Sequence, residues 1–254
     1  MQDGRVEWVA EFYRKQYEWA DWRSRWGDFD PAASDPHVGA VRRLAGEGPK
    51  RILELGPGTG STAAALAHAG HDVVTIELQP MLADHITELA GKVEHGSLRS
   101  ITGDFYEVDP GGSYDVVAYF DGFGLGSDED QRRLLRRVGG WLTIEGCGVI
   151  DVLTPWYFAK SAGSEEEFPE GSGIYYREGF EAEGSRMTEQ MWRKGREEDV
   201  VTQSLRCYSP ADLRLLLEGT DLVLVEMEPH SGQWYGEPTA LEDAMVYLAK
   251  LARR

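Results

Sequence analysis

The sequence predicts an α/β protein in which a mostly parallel β-sheet is covered by helices on both faces. Short strands alternate with helical stretches between residues 51 and 153. Strands such as RILEL (51–55) and YDVVAYF (114–120) are almost continuously apolar, which is typical of strands buried on both sides. A length of 254 residues fits one domain carrying an insertion, since domains average roughly 150 residues.

The first half of the chain alternates regularly between helix and strand. An aromatic-rich segment has apolar residues three to five positions apart, which predicts an amphipathic helix. Pro80 stands where a helix favours proline, in its first turn. The predicted elements are helices over 5–26 and 37–46, strands at 51–55, 71–77, 97–102 and 114–120, and helices that follow the strands at 51–55 and 71–77.

The regular alternation ends after Leu153. Before that point a helix is predicted over 127–139, with Ser127 as its N-cap, followed by a strand over 144–153. Acidic, glycine-rich loops and alternating stretches then predict a small antiparallel unit. The remaining predictions are a helix over 208–219 capped by Ser209, a strand over 221–228, and a last segment whose period fits helix or strand.

Charge and cysteine content exclude several classes of protein. Lys and Arg number 26 against 44 Asp and Glu, which gives −18 and argues against binding nucleic acid or an anionic membrane. No apolar run approaches the roughly 20 residues of a membrane span, and no signal peptide is evident. Cys147 and Cys207 are too few for a disulfide framework or a zinc site. We expect buried free thiols, no metal and a cytoplasmic location.

The most informative motif is ILELGPGTG, a strand that runs into a glycine-rich turn and then a helix. Gly56, Gly58 and Gly60 allow positive φ and close approach of a ligand to the backbone. The spacing GxGxG differs from the GxGxxG of dinucleotide sites. Glu54 would repel phosphate and suits an ammonium group or ordered water, and Pro57 gives up a backbone donor. The expected ligand is therefore not a pyrophosphate.

Three further strand ends carry candidate ligand-binding residues. Glu77 lies 19 residues after Gly58 (77 − 58), a spacing at which a carboxylate accepts hydrogen bonds from ribose hydroxyls. Asp104 and Phe105 follow the third strand, where they could meet the amine and the face of adenine. Phe120 and Asp121 follow the fourth strand, within YFDGFG. Open α/β sheets bind ligands at this edge.

Taken in order, these motifs resemble the cofactor motifs of class I S-adenosylmethionine-dependent methyltransferases. The resemblance covers residues 51–154 well and 208–229 moderately. It implies a Rossmann-like sheet of seven strands with helices on both faces, and a last antiparallel strand at 244–251. It also implies S-adenosyl-L-methionine as cofactor.

The resemblance assigns a role to each motif position. The methionine end of the cofactor would lie against Glu54 and the backbone around Gly56, Pro57, Gly58 and Gly60. The ribose would bind Glu77, the adenine would lie near Leu78, Asp104 and Phe105, and Phe120 and Asp121 would form the floor beside the sulfonium.

The methyl acceptor is less defined. The chain has FDGF where relatives that methylate planar amides or nucleobase amines have NPPY or DPPY, which favours another acceptor. A hydroxyl acceptor would need a general base. The candidates for that base are His37, Tyr17, Asp121 and His230, and no observation selects one of them.

Two aromatic segments are candidates for the acceptor pocket. Residues 1–46 would form a helical lid, although an aromatic helix packed on the sheet edge is an equal alternative, and residues 155–207 would form a cap. The candidate substrate residues are Tyr13, Tyr17, Phe123, Trp156, Tyr175, Tyr176, Arg177 and Trp192. Such rings suit an apolar or aromatic small molecule.

The sequence therefore predicts a single domain over 1–254 that transfers a methyl group to an oxygen or nitrogen of a small molecule. Family analogy favours a specialised metabolite as acceptor. Alternatives are an aminopropyl-transferring or cyclising enzyme, or a binding protein that has lost catalysis. A protein or RNA methyltransferase is a weaker alternative, and an exposed aromatic helix is also compatible with a homodimer.

Overall fold

A computed structural model describes the backbone of residues 3–25, 29–232 and 235–254, and the side chains of the same residues except 3–7, 24 and 25. The helices are α1 (Asp3–Trp19), α2 (Trp22–Arg25), α3 (Pro36–Ala45), α4 (Ser61–His68), α5 (Pro80–Ala90), α6 (Asp128–Trp141), α7 (Pro155–Ser161) and α8 (Pro210–Leu216). The strands are β1 (Arg51–Leu55), β2 (Asp72–Glu77), β3 (Ser97–Thr102), β4 (Tyr114–Tyr119), β5 (Leu142–Leu153), β6 (Glu165–Glu167), β7 (Ile174–Glu181), β8 (Arg186–Arg193), β9 (Arg196–Arg206), β10 (Leu222–His230) and β11 (Val246–Arg253).

The main sheet has seven strands in the order β10-β11-β5-β4-β1-β2-β3. Strand β11 runs antiparallel to both of its neighbours, whereas β5, β4, β1, β2 and β3 are mutually parallel. The predicted fold class is confirmed, and the segment with an ambiguous period is the closing strand. Strand order reverses between β1 and β4, so the carboxyl ends of these two strands border the crevice where such sheets bind ligands.

Alternate residues of the central strands enter two separate cores, one on each face of the sheet. On one face Leu53 and Val117 pack with the apolar sides of α6 and α8. On the other face Ile52, Val116 and Ala118 pack with α3, α4 and α5. Each face buries side chains completely, which explains why these strands read as continuous apolar runs.

Two helix starts agree with the capping signals in the sequence. The Ser127 hydroxyl accepts a hydrogen bond from the Asp130 amide, and Ser209 accepts one from the Asp212 amide. In each case the aspartate returns the contact to the serine backbone and completes a capping box.

A second sheet, which we call the cap sheet, contains strands β6–β9 in sequential antiparallel order. It lies within the predicted 155–207 segment. The sequence predicted only strands there, but the segment begins with helix α7, where Pro155 occupies the first turn and Phe158 is buried. Seven residues are too few for a helical period to stand out beside a polar loop.

The N-terminal segment also differs from its prediction. Instead of one helix over 5–26, α1 ends at Trp19 and α2 begins at Trp22, with Asp21 between them at φ 46°. Helix α1 packs against the cap sheet through Phe12, which shares a core with Met191. Trp26, part of the predicted helix, lies outside the described residues.

Both cysteines are buried free thiols, as predicted. Among the helices of the described residues, none is both long and apolar enough to cross a membrane.

Candidate functional site

The glycine-rich turn leaves β1 at the carboxyl edge of the main sheet. Its first amide, on Gly56, donates to the Ile76 carbonyl of β2 at 3.0 Å, which fixes the turn beside the neighbouring strand. Gly56, Gly58 and Gly60 have φ values of 56°, 58° and 82°. At Gly60, which begins α4, a β-carbon would also collide with Ile86. The turn therefore needs glycine for both conformation and space.

Glu77 ends β2 directly beside this turn. Its buried carboxylate accepts hydrogen bonds from the Gly58 amide at 3.2 Å and from the Gln79 amide at 2.7 Å. Burial raises its pKa to about 7, against the opposing effect of these amides. The same group thus holds the turn in place and presents a carboxylate to the crevice.

Glu54 is a buried carboxyl group near the carboxyl end of β1, just before the glycine-rich turn. Its Oε2 atom is buried and has no hydrogen-bond partner among the described residues. Burial, and then the charges of Asp35 and Glu77, raise its pKa to about 8. A buried oxygen of this kind fits a ligand ammonium group, which would supply both the missing hydrogen bond and the missing charge. The cofactor assigned from the sequence carries such a group on its methionine end.

The predicted adenine-side residues lie at the end of β3, the neighbour of β2. The Asp104 carboxylate accepts a hydrogen bond from the Tyr106 amide at 2.8 Å, so it also shapes the local turn. The Phe105 ring packs edge-on against Tyr119 at 5.4 Å between ring centres. Leu78 is half-buried immediately after Glu77. The structure brings all of these to the same edge as the glycine-rich turn.

Helix α1 covers the glycine-rich turn. A β-carbon added at Gly58 would lie 2.6 Å from the Tyr17 hydroxyl, so this phenol lies directly over the turn. The side-chain amide of Gln79 donates to the Ala10 carbonyl of α1 at 2.8 Å. Burial, followed by the charges of Glu77 and Asp121, raises the pKa of Tyr17 well above its usual value. Tyr17 is therefore a neutral phenol near the carboxyl groups of Glu77 and Asp121.

Replacement of Gly58 by alanine is expected to displace Tyr17 and strain the turn. A positive φ costs a non-glycine residue about 1–2 kcal/mol, before any contact with the phenol is counted. We expect a lower melting temperature and weaker binding of S-adenosylhomocysteine, measured by calorimetry. Gly70 also has a positive φ, but a β-carbon there meets nothing within 4 Å, so Gly70→Ala is the matched control. Equal effects of the two variants on binding would contradict this account of Gly58.

His37 is buried at the N-terminus of α3, where its ring packs against Phe120 at 4.5 Å. Its Nδ1 atom lies 2.8 Å from the Asp35 carboxylate, and the other oxygen of Asp35 accepts a hydrogen bond from the Thr62 hydroxyl at 3.1 Å. Burial opposes ionisation of Asp35, but the hydrogen bonds and charge of His37 outweigh it and hold the Asp35 pKa below its usual value. Asp35 therefore orients the imidazole.

Asp151 is a buried carboxylate that the sequence reasoning missed. One of its oxygens accepts a hydrogen bond from the Asp121 amide at 3.3 Å, and the other has no partner of normal geometry among the described residues. Burial raises its pKa to about 6, and His37 opposes the shift. A detectable signal existed: Asp151 is the one charged residue of the apolar run CGVIDVL.

Asp121 and Asp151 share a narrow cavity with His37. The cavity is lined by His37, Asp121, Gly122, Phe123, Asp151, Leu153 and Val246. Asp121 has φ 54°, a left-handed conformation that aspartate adopts more readily than most non-glycine residues. The structure thus assembles two of the predicted base candidates and the predicted pocket residue Phe123 around one space.

His230, the remaining base candidate, lies behind this cavity. Its Nδ1 atom is 3.0 Å from the Gly236 carbonyl, and its ring is 5.1 Å from that of Tyr235. The Tyr235 ring in turn lies 4.6 Å from that of His37. His230 therefore lies beside Tyr235, a residue that the sequence reasoning did not single out, and its charge also acts on Asp151 in the cavity.

The cap sheet contributes one more carboxyl group, that of the half-buried Glu189. The Tyr13 hydroxyl donates to the side chain of Gln203 at 3.3 Å, and Gln203 donates to Glu189 at 2.9 Å. Burial raises the Glu189 pKa to about 7. Burial, followed by the charge of Asp121, raises the pKa of Tyr13 well above its usual value. Tyr176 packs in the core that the cap sheet shares with α1.

Three predicted substrate residues lie on the face of the cap sheet opposite to the one that packs against α1, and they are not among the lining of the cavity beside His37. Tyr175 stacks on Trp192 at 5.9 Å, and Arg177 lies over the same indole while pairing with Glu165 at 2.7 Å. They line a separate groove, because side chains alternate between the faces of a strand. Trp156 lies on α7, where its buried Nε1 has no hydrogen-bond partner among the described residues. Sequence alone does not say which face of an isolated antiparallel sheet is inward.

Comparison with known proteins gives a domain and a fold. Residues 52–146 match the family model described as a methyltransferase domain. The protein-L-isoaspartate O-methyltransferase 2 of Anaeromyxobacter sp. is 38% identical over 73 residues, which is 28% of this chain and about 30% of the length of that curated relative.

Several solved structures share nearly the whole architecture. The CcbJ methyltransferase from Streptomyces caelestis has a TM-score of 0.74 at 22% identity, over 95% of this chain and 97% of that one. The sugar N-methyltransferase KedS8 from Streptoalloteichus sp. has a TM-score of 0.60 at 21% identity, over 97% and 93%. An S-adenosylmethionine-dependent methyltransferase from Clostridium acetobutylicum has a TM-score of 0.68 at 13% identity, over 96% and 97%. At these identities the likeness establishes the fold.

The domain match spans the glycine-rich turn, Glu77 and the strand ends that form the site, and the fold extends over the rest of the chain. Residues 52–146 therefore form a methyltransferase domain by their match to the family model, and the chain as a whole has the fold of S-adenosylmethionine-dependent methyltransferases.

Proposed function

We propose that the protein transfers a methyl group from S-adenosylmethionine to an oxygen or nitrogen nucleophile of a small-molecule acceptor. The observation that carries this proposal is the pair of buried carboxyl groups, Glu54 and Glu77, on either side of a glycine-rich turn covered by Tyr17. The pair matches the two polar ends of the cofactor: an ammonium group for Glu54 and ribose hydroxyls for Glu77.

The residues of the chain would act by binding, orientation and proton transfer. Glu54, Glu77 and the backbone of the turn would hold the cofactor, which supplies an electrophilic methyl group when bound. Phe120 and Asp121 would border the reacting centre. His37, oriented through Nδ1 by Asp35, would accept the proton that the acceptor loses. Tyr13 and Tyr17 on α1 would exclude water from the site.

The shape and charge of the site favour a small acceptor over a macromolecule. The cavity beside His37 is narrow, and two of its lining residues, Leu153 and Val246, pack with residues of α1 and the cap sheet, which favours a small acceptor. A formal charge of −18 disfavours nucleic acids. The solved relatives include enzymes described as a sugar N-methyltransferase and as a glycopeptide N-methyltransferase, which supports an acceptor outside the nucleic acids.

Calorimetric titration with S-adenosylmethionine and with S-adenosylhomocysteine tests the proposal directly. We expect saturable binding of both at micromolar concentration, followed by release of S-adenosylhomocysteine in the presence of a suitable acceptor. Failure of the folded protein to bind either compound would overturn the proposed function.

A further inference from the structure

The acceptor side of the site carries an excess of carboxyl groups. Asp121 and Asp151 line the cavity, and Glu189 lies behind Tyr13 on the cap sheet. The described cavity lining contains neither Lys nor Arg, and its one basic side chain is His37. Glu54 and Glu77 lie on the cofactor side of the site and do not belong to this group.

The unpartnered oxygen of Asp151 is the second observation. Its carboxyl group is buried, and the groups that face it are His37 from α3, the Asp121 amide after β4, Tyr235, and His230 from β10. The Tyr235 hydroxyl faces the carboxyl group and lowers its pKa as a hydrogen-bond donor would, yet neither this hydroxyl nor that oxygen of Asp151 has a partner at hydrogen-bond distance and angle among the described residues. Burying a carboxylate oxygen costs free energy unless a cation or a hydrogen-bond donor contacts it.

We propose that the acceptor nucleophile is an amine, which enters as its ammonium ion and pairs with Asp151 before His37 removes one proton. This inference rests on the proposed methyl transfer and names the substrate class of the same site. Asp121 lies at the mouth of the cavity and adds to the attraction for a cation.

The step balances without any further reactant. The ammonium N–H bond breaks and its proton passes to the imidazole of His37. The nitrogen lone pair then forms the new N–C bond as the S–C bond of the methyl donor breaks, and that electron pair remains on sulfur. The products are S-adenosylhomocysteine and a methylated ammonium ion.

Charge distribution distinguishes an amine from a hydroxyl acceptor here. During transfer the positive charge moves from sulfur to nitrogen, towards Asp121 and Asp151, which stabilise it. A primary or secondary amine also keeps an N–H bond for Asp151 after it loses one proton. A hydroxyl acceptor has a single proton, and its removal would leave an oxygen of rising negative charge beside two carboxylates.

Binding to the full-length protein loaded with S-adenosylhomocysteine tests this proposal without relying on turnover. The probes are matched pairs that differ only in the nucleophile: cyclohexylamine and cyclohexanol, benzylamine and benzyl alcohol, glucosamine and glucose. We expect at least one amine to bind, tenfold or more tighter than its alcohol. Asp151→Asn should abolish this preference and leave the affinity for S-adenosylhomocysteine unchanged.

Two further variants make the result interpretable. Glu145→Gln removes the same charge from an exposed position at the other end of β5 and should leave the preference intact. Asp121→Asn, at an exposed position of the cavity, should reduce the preference severalfold even if Asp151→Asn fails to fold. With radiolabelled S-adenosylmethionine, the label should appear on nitrogen.

Three outcomes would overturn the proposal: alcohols that bind as tightly as amines, amine binding that both aspartate variants leave unchanged, or absence of binding by every amine. Because all three are measured on protein already shown to bind S-adenosylhomocysteine, they are separate from a failure of the proposed function.

Discussion

Glu54→Gln is expected to weaken S-adenosylmethionine binding by about 2 kcal/mol or more, roughly 30-fold in Kd. The variant keeps the shape of the side chain but removes the charge that would face the cofactor ammonium. At pH 7 the Glu54 carboxyl group, with its pKa near 8, is mostly protonated in the cofactor-free protein. An incoming ammonium group favours ionisation, so binding should release a proton.

The same substitution is expected to stabilise the cofactor-free protein at alkaline pH. The Glu54 pKa is raised in the folded state from 4.5 to about 8, so the folded protein holds the proton more tightly than the unfolded chain does. Its contribution to stability is therefore present below pH 4.5 and is lost as the pH rises through 8. Glutamine has no such titration, so the free energy of unfolding should fall less between pH 6 and pH 8.

Both effects are measurable on one preparation. Calorimetry in buffers of different ionisation enthalpy counts the proton released on binding, and urea denaturation at several pH values follows stability. Glu145→Gln, an exposed charge-matched change, should alter neither quantity. Proton release that persists in Glu54→Gln would assign the titrating group elsewhere.

Glu77→Ala is expected to weaken cofactor binding by about 1.5–3 kcal/mol, or roughly 10- to 150-fold in Kd. The substitution removes a charged acceptor for ribose hydroxyls and releases the amides of Gly58 and Gln79, which Glu77 holds in the folded protein. Because the effect concerns the ribose, it should extend to adenosine, which has no methionine end.

The binding preference for adenosine over 2′-deoxyadenosine distinguishes the role of Glu77 from that of Glu54. The parent protein should prefer adenosine, Glu77→Ala should lose most of that preference, and Glu54→Gln should retain it. Glu218→Gln, at an exposed position after α8, is the control. An unchanged preference in Glu77→Ala would mean that the ribose contact is misassigned.

The parts of the molecule that follow from local sequence were predictable. The turn at Gly56 to Gly60 needs positive φ, and Ser127 and Ser209 cap helices through contacts within three residues. The parallel strands were predictable because both of their faces are buried, which makes their sequences almost continuously apolar. For the closing strand β11, the resemblance supplied what periodicity alone left ambiguous.

The acceptor side was less predictable because its residues meet only through tertiary structure. Asp151, Tyr235 and Glu189 come from β5, the loop after β10 and the cap sheet, and none belongs to a local motif. The position of Tyr175 and Trp192 in a groove separate from the cavity was not predictable for a related reason. Both faces of the cap sheet carry aromatic rings, and only packing against α1 distinguishes them.

Helix α1 is held by contacts to the residue that caps α5 and to the cap sheet, and these contacts affect how fast a bound cofactor can leave. Its Ala10 carbonyl is held by Gln79, the residue that caps α5, while Lys15 pairs with Asp199 of the cap sheet at 2.8 Å. A cofactor bound beneath α1 would leave only after the first contact breaks. The cap sheet is fixed to the loop after β4 by the hydrogen bond from the Arg206 amide to the Gly124 carbonyl at 2.9 Å, so the helix would also have to release Lys15 from Asp199. Departure of S-adenosylhomocysteine would then be the slow step of each cycle, and the acceptor product would leave before it.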